Sequence, residues 1–291
     1  MNKLTFVSAI AGIVVLAIIA ACRDDSNSKK LSFDTNREIT VITREAGSGT
    51  RDAFTELVGI LVKQNGKKKD NTTVEALTID GTQGVISTVA GNEYAIGYIS
   101  LGSMNNSVKA LKIDGVSPDK LNVKRGTYPI ARPFNVATKS QISEIAQDFL
   151  DFIMSADGQS IVDANGYVSV VEGKVYESKN LKGKIVIAGS SSVSPGMEKR
   201  KEGYLQKNPG VEIELQTNDS SSGMLAAKEG TCDIGMASRD LKSSEKDVLN
   251  SLTIARDGIA VIVNSKNPQD NLNKETLRQI YTGLIRNWNV K

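Results

Sequence analysis

An α/β fold is predicted by a unit that occurs three times in the sequence: an apolar strand-like run, a turn rich in Ser and Gly, and a helix start. In the first unit, Ile39-Thr-Val-Ile-Thr43 leads through Arg44-Glu45-Ala46-Gly47-Ser48-Gly49-Thr50 into the amphipathic stretch Asp52 to Val62. In the second, Lys184-Ile-Val-Ile-Ala188 leads into Gly189-Ser190-Ser191-Ser192-Val193-Ser194-Pro195. In the third, Val211 to Gln216 leads into Asp219-Ser220-Ser221-Ser222-Gly223 and then Met224 to Lys228. Strands alternating with helices in this rhythm imply parallel pairing with helices on the sheet faces.

Taken in order, residues 23 to 36 are rich in Ser, Asn, Asp and Lys without periodicity and read as a tether. After the Arg44 unit, the polar stretch Gln64 to Thr73 is expected as an exposed loop. Val74 to Ile79 and Tyr94 to Ser100 read as strands around a helix from Gly84 to Gly91. Val108 to Ile113 and Tyr128 to Phe134 are extended, and Pro129 and Pro133 place the second near a sheet edge. Ser140 is expected to cap a helix with apolar positions Ile142, Ile145, Ala146, Phe149, Leu150 and Ile153. A shorter helix ends at Asn165-Gly166. The segment from Glu172 to Gly183, rich in Lys, Glu, Ser and Gly, is the best linker candidate. Beyond it come a helix from Met197 to Lys207, diluted by Gly196, Arg200 and Gly203 and so expected to fray, and a helix from Ser243 to Leu252. Ile259 to Asn264 reads as a buried parallel strand, and Asn273 to Tyr281 as a capped helix.

The three turns favour anions. Glycines let successive N–H groups converge, the first helical turn adds its unpaired donors, the hydroxyls of Ser and Thr add more, and Arg44 brings a planar cationic fork. Other chemistries are poorly served. The 291 residues contain no histidine, which removes Ser-His-Asp and Cys-His catalysis and His-containing zinc sites. No cofactor is called for, no carboxylate cluster suggests a metal, and the Arg44 turn lacks the Gly-Lys-Ser/Thr of a P-loop. Ser243-Ser-Glu-Lys246 has Ser-x-x-Lys spacing without a Lys-Thr-Gly partner and reads as a helix start. Net charge is +3, the longest basic run is only Lys67-Lys68-Lys69, and aromatic residues make up 5%, so nucleic acid is not an expected partner.

At the N-terminus, Lys3 is followed by the apolar run Leu4 to Ala21, then Cys22 and an abruptly polar stretch. The small residues before the cysteine favour export and processing; an uncleaved anchor is the alternative at this length. Cys232, the only other cysteine, reads as a small core residue.

Two further resemblances sharpen these readings. Ile19-Ala20-Ala21-Cys22 resembles a bacterial lipobox, which implies a signal peptide over 1–21, lipidation at Cys22, a tether over 22–36 and a cell-membrane location on the extracytoplasmic face. From about Glu38 onward the chain resembles the extracytoplasmic phosphate-binding proteins of the PstS type that feed an ABC importer. The likeness rests on Arg44 to Phe54, Ala95 to Leu101, Tyr128 to Pro133, Gly189 to Pro195, Asp233 to Arg239, Asp257 to Asn264 and Ile280 to Gly283. It implies a two-lobed periplasmic-binding-protein-like α/β fold of type II, no enzymatic activity, and three partners: inorganic phosphate, permease subunits and the membrane. The order of these segments is rotated relative to the family, so the chain reads as a circular permutant, with one lobe continuous over 131–262 and the other assembled from 37–128 plus 264–291.

The resemblance also implies phosphate binding by Arg44, Ser48, Gly49 and Thr50 from one lobe and by Ser191, Ser192, Val193 and Ser220 from the other, with Ser238 in the same pocket. Ala46 stands where the family has an Asp that orients the Arg, and Ser238 where it has an Asp that accepts the proton of hydrogen phosphate. Candidates for the missing acceptor are Glu45, Asp219 and Asp257. Another oxyanion such as sulfate, and a surface sensing lipoprotein without a transport role, stand as alternatives.

Overall fold

The apolar runs become strands of one continuous nine-stranded sheet in the computed structural model, which describes residues 33–64 and 67–290. In chain order the strands are β1 (Thr40–Arg44), β2 (Leu61–Gln64), β3 (Lys67–Asp70), β4 (Leu77–Ile79), β5 (Ala95–Ser100), β6 (Val108–Ala110), β7 (Lys112–Ile113), β8 (Ala131–Thr138), β9 (Gly183–Ser190), β10 (Val211–Asn218), β11 (Ile234–Ala237), β12 (Asn250–Asn264) and β13 (Asn271–Leu272). The helices are α1 (Gly49–Val58), α2 (Gly81–Gly91), α3 (Lys120–Arg125), α4 (Glu144–Met154), α5 (Ala156–Ala164), α6 (Ser194–Lys207), α7 (Ser220–Glu229), α8 (Ser243–Lys246) and α9 (Lys274–Tyr281).

Across the sheet the order is β10-β9-β11-β8-β12-β5-β1-β4, with β6 also on β12. Each half repeats one arrangement. Its first parallel strand lies centrally between the next two, as β10-β9-β11 and as β4-β1-β5, and an antiparallel strand follows, β8 in one half and β12 in the other. The long β12 serves both halves. Its residues Asn250 to Gly258 pair with β8, and Ile259 to Val263 pair with β5. The change of partner therefore falls between Gly258 and Ile259.

This order brings the carboxyl ends of the parallel strands in each half, and the turns leading from them into helices, to the place where ligands bind in open α/β sheets. Under the β1 turn lies an aromatic group: Phe54 stacks on Tyr98 at 3.9 Å and meets Tyr281 edge-on at 4.8 Å. In the other half Phe149, Phe152, Tyr176 and Tyr204 pack together beside β9 and α6. The tail returns to the start: Glu38 bridges Asn287, the Ile39 N–H donates to the Arg286 carbonyl at 2.7 Å, and Trp288 Nε1 donates to the Tyr94 carbonyl at 3.0 Å.

Several elements differ from their sequence reading. Gln64 to Thr73 is partly a hairpin, β2 with β3, although its side chains are largely exposed as a polar stretch requires. The strand expected from Val74 is only Leu77–Ile79, since Val74 is fully exposed. Pro133 lies in an interior strand rather than at an edge; β11 pairs β8 only at Asn135 to Ala137, so no ladder bond is asked of the proline nitrogen. The cap of α4 is Ser143, whose hydroxyl accepts from the Ala146 N–H, not Ser140. Helix α6 is intact over 14 residues, because Gly196 seats against Tyr167 and Gly203 against Ile161 and Phe152 where a Cβ would collide. Helix α8 is a single turn, cut short by β12, which begins at Asn250 and runs antiparallel to its neighbours rather than parallel. The linker from Glu172 to Gly183 has no helix and no internal strand, yet it is tied down: Tyr176 is buried, and its hydroxyl donates to Asp148 at 2.5 Å.

Cys232 is buried and unpaired, and burial pushes its thiol up to about 11. The signal peptide, Cys22 and most of the tether lie outside the described residues. Among the described residues no helix is long and apolar enough to cross a membrane.

Candidate functional site

Five turns, from β1, β4, β9, β10 and β11, converge on one buried cluster of hydroxyls. At its centre Thr50 Oγ1 lies 2.8 Å from Ser192 Oγ and 3.5 Å from Ser238 Oγ. Ser238 Oγ is 3.5 Å from Ser220 Oγ, which also accepts from the Ser238 N–H at 3.1 Å. Thr82 Oγ1 stands 3.2 Å from Ser192 Oγ and 3.3 Å from Ser191 Oγ. Thr50, Ser192, Ser220 and Ser238 are each no more than 1% exposed.

Arg44 forms the charged wall. It ends β1 at 2% exposure, and its Nε and Nη2 donate to the two carboxylate oxygens of Glu45 at 2.7 and 2.6 Å. Nη2 also donates to Ser191 Oγ at 3.1 Å, while Nη1 is buried with no partner in the protein. A guanidinium held on one edge by a carboxylate and left with a buried donor on the other is shaped to grip an oxyanion.

The local reasons are simple. Ser48 is the N-cap of α1, its Oγ accepting from the Arg51 N–H, so the N–H groups of Gly49 and Thr50 fall in the first turn, where helices have no acceptors of their own. Gly49 must lack a side chain, since a Cβ there would lie 2.4 Å from Ser220 Oγ and 2.8 Å from Ser238 Oγ. On the facing side Asp219 caps α7, accepting from the Ser222 N–H and hydroxyl, and the N-cap position of α6 is Val193. The hydroxyls of Ser191, Ser192 and Ser220 are therefore not consumed as caps and face the cluster.

The structure thus brings Arg44, Gly49, Thr50, Ser191, Ser192, Ser220 and Ser238 together, with Ser48 beneath them as a cap. The Val193 side chain is in the core, and its N–H donates to the Ser190 carbonyl at 2.9 Å, closing the turn. The three candidate proton acceptors each have partners of their own in the protein. Glu45 is occupied by Arg44 and by the Gly81 N–H at 3.3 Å, so it fills the orienting role that Ala46 cannot. Asp219 is occupied as a cap. Asp257, 1% exposed, pairs with Arg132 Nη2 at 3.2 Å and accepts from the Gly102 N–H. Burial pushes the Asp257 carboxyl up and the Arg132 guanidinium down, and each opposes the shift of the other.

Two contributors were missed in the sequence. Thr82 follows Asp80-Gly81 at the start of α2, a fourth strand-turn-helix unit obscured by its three-residue strand. Arg132 sits inside β8, where no turn marks it, and its Nη1 donates to the Ser238 carbonyl at 3.0 Å. Among the described residues no group of His, Cys, Asp and Glu is arranged to hold a metal ion.

A family model for the PBP superfamily domain (PBP_like_2) matches residues 26–157 and 174–290. The "Phosphate-binding protein PstS 2" of Streptococcus agalactiae is 44% identical over 290 residues, covering 99% of this chain and 97% of the relative. The chain belongs to the PstS family of phosphate-binding proteins. A second PstS 2, from Streptococcus pneumoniae, is 46% identical over 93% of this chain and 92% of its own. The crystal structure of a phosphate ABC transporter, phosphate-binding protein from Streptococcus pneumoniae superposes with a TM-score of 0.70 at 47% identity, over 87% of this chain and 98% of that one. Alignments that run almost end to end mean that these PstS relatives carry their segments in the order found here.

Proposed function

We propose that this chain binds inorganic phosphate outside the cytoplasmic membrane, in the hydroxyl cluster walled by Arg44, and delivers it to an ABC transporter. It is a binding protein and not an enzyme. The observation that carries the assignment of the site is the meeting of Thr50, Thr82, Ser191, Ser192, Ser220 and Ser238 beside Arg44, whose Nη2 donates to Ser191 and whose Nη1 is buried without a partner. Neutral hydroxyl donors beside the Arg44 guanidinium suit a small, fully desolvated oxyanion. The two halves of the sheet act as lobes that close on the ligand about the shared β8 and β12, and lipid on Cys22 holds the protein at the membrane.

A second reading, a sulfate-like oxyanion, is favoured by one observation: the carboxylates of Glu45, Asp219 and Asp257 are already hydrogen-bonded within the protein. Hydroxyl oxygens are then the acceptors for a phosphate proton, since a hydroxyl both donates and accepts. Calorimetry on a soluble Cys22→Ser protein decides between them. Tight phosphate binding that excess sulfate does not displace is expected; equal competition by sulfate supports the second reading, and silence with both anions removes the assignment.

Thr82 is expected to contribute one neutral hydrogen bond. Thr82→Ala should weaken phosphate binding by about 3- to 10-fold, corresponding to about 0.5–1.5 kcal/mol, and Thr82→Ser should restore most of it. Calorimetry on both variants checks this; an unchanged Thr82→Ala affinity would exclude Thr82 from the site.

A further inference from the structure

Arg239, next to Ser238, closes over the outside of the cluster without entering it. It is 5% exposed, and its guanidinium is held bidentate by Glu245, Nη1 to Oε2 and Nη2 to Oε1, both at 2.8 Å. Nη2 also donates to Ser221 Oγ at 3.3 Å. These partners belong to the half of the sheet that carries β9, β10 and β11.

The remaining edge of the guanidinium faces the other half. Nε lies 3.1 Å from Asp52 Oδ2 in the first turn of α1, two residues beyond Thr50. Lys242 Nζ, 3.6 Å from the same oxygen, reinforces the contact. Here opposite charges are close without an aligned hydrogen bond, and both atoms count as buried. A Cβ on Gly49 would stand 3.1 Å from Arg239 Cγ, so the Arg239 stem lies on the glycine of the Thr50 turn. Beside it the Ser221 N–H donates to the Gly47 carbonyl at 3.2 Å, a second link between the same two turns. Arg239 also borders a cavity of about 700 Å³, lined with it by Asp52, Lys242, Leu57, Leu61 and Pro133.

We propose that Arg239 and Asp52 form a clasp across the cleft that sets how fast the bound anion leaves. Arg239 is fixed to its own half by Glu245, so the contact with Asp52 exists only while the two turns are together. Interactions present in the closed form alone lengthen residence and leave the encounter step nearly unchanged. Neither residue touches the hydroxyl cluster through a polar atom, so both are positioning residues. The proposal rests on the phosphate reading of the site.

The test is the release rate of phosphate, followed by stopped flow into an excess of a fluorescent phosphate sensor, for the wild type and for Asp52→Asn. Asp52 is 39% exposed, so its replacement spares the fold, and solvent screening keeps the expected effect to about a 3- to 10-fold faster release with association within 2-fold. Added salt should speed release from the wild type towards the variant's rate and leave the variant unmoved. Equal release rates at low salt would overturn the clasp. A ligand-independent reading separates this from failure of the phosphate assignment. Spin labels placed by Lys63→Cys and Asp247→Cys, one on each side of the cleft, should report longer distances in the Asp52→Asn background. Superimposable distance distributions would overturn the clasp, whichever anion the site takes.

Discussion

Replacing Arg44 by alanine is expected to weaken phosphate binding by roughly 30- to 5,000-fold, the range for truncating one partner of a buried, hydrogen-bonded charge pair at about 2–5 kcal/mol. The guanidinium keeps one buried donor, Nη1, without an acceptor in the protein, and its other edge is fixed by Glu45 at 2.6 and 2.7 Å. Loss of the side chain removes the charge-assisted bonds and leaves Glu45 as an unpaired acid beside the anion. Arg44→Lys should fall between the two, since an ammonium keeps the charge and loses the fork. Calorimetry of the three proteins checks this ordering. Binding by Arg44→Ala as tight as wild type would remove Arg44 from the site.

Asp257 is expected to matter for stability rather than for proton acceptance. Its carboxylate and the Arg132 guanidinium are both almost fully buried, and neither has a second countercharge among its hydrogen-bond or ion-pair partners. Asp257→Asn leaves a buried cation uncompensated, which costs about 3–5 kcal/mol and should lower Tm by roughly 6–20 °C. Asp257→Asn combined with Arg132→Met should recover much of that loss, because a buried ion pair is worth little more than the apolar contact that replaces it. Thermal unfolding of the single and double variants measures both effects. A stable Asp257→Asn protein that binds phosphate with an altered pH profile would instead return Asp257 to the role of proton acceptor.

The legible part of the site is the part written in turns. Arg44 to Thr50, Gly189 to Pro195 and Asp219 to Gly223 each stand between an apolar run and a helix start, where Ser and Gly are conspicuous. Their meeting in space depends on the order β10-β9-β11-β8-β12-β5-β1-β4, which local periodicity does not encode. Thr82 escaped because its strand, Leu77–Ile79, is too short and too exposed to register as apolar. Arg132 escaped because a charged residue inside a strand looks like a solvated face, and only the fold shows it buried against Asp257 and the Ser238 carbonyl. The direction of β12 was misread for a related reason: an uninterrupted apolar strand reports burial on two faces and says nothing of which way its neighbours run. Gly196 and Gly203 looked like helix weaknesses until Tyr167, Ile161 and Phe152 were seen to occupy the space that a side chain would need.

A crystal structure of the protein grown with phosphate tests the assignment of the site. The anion is expected among Thr50, Ser192, Ser220 and Ser238, with one oxygen on Arg44 Nη1 and others on the N–H groups that open α1. Phosphate bound elsewhere, with these hydroxyls still joined only to one another, would contradict it.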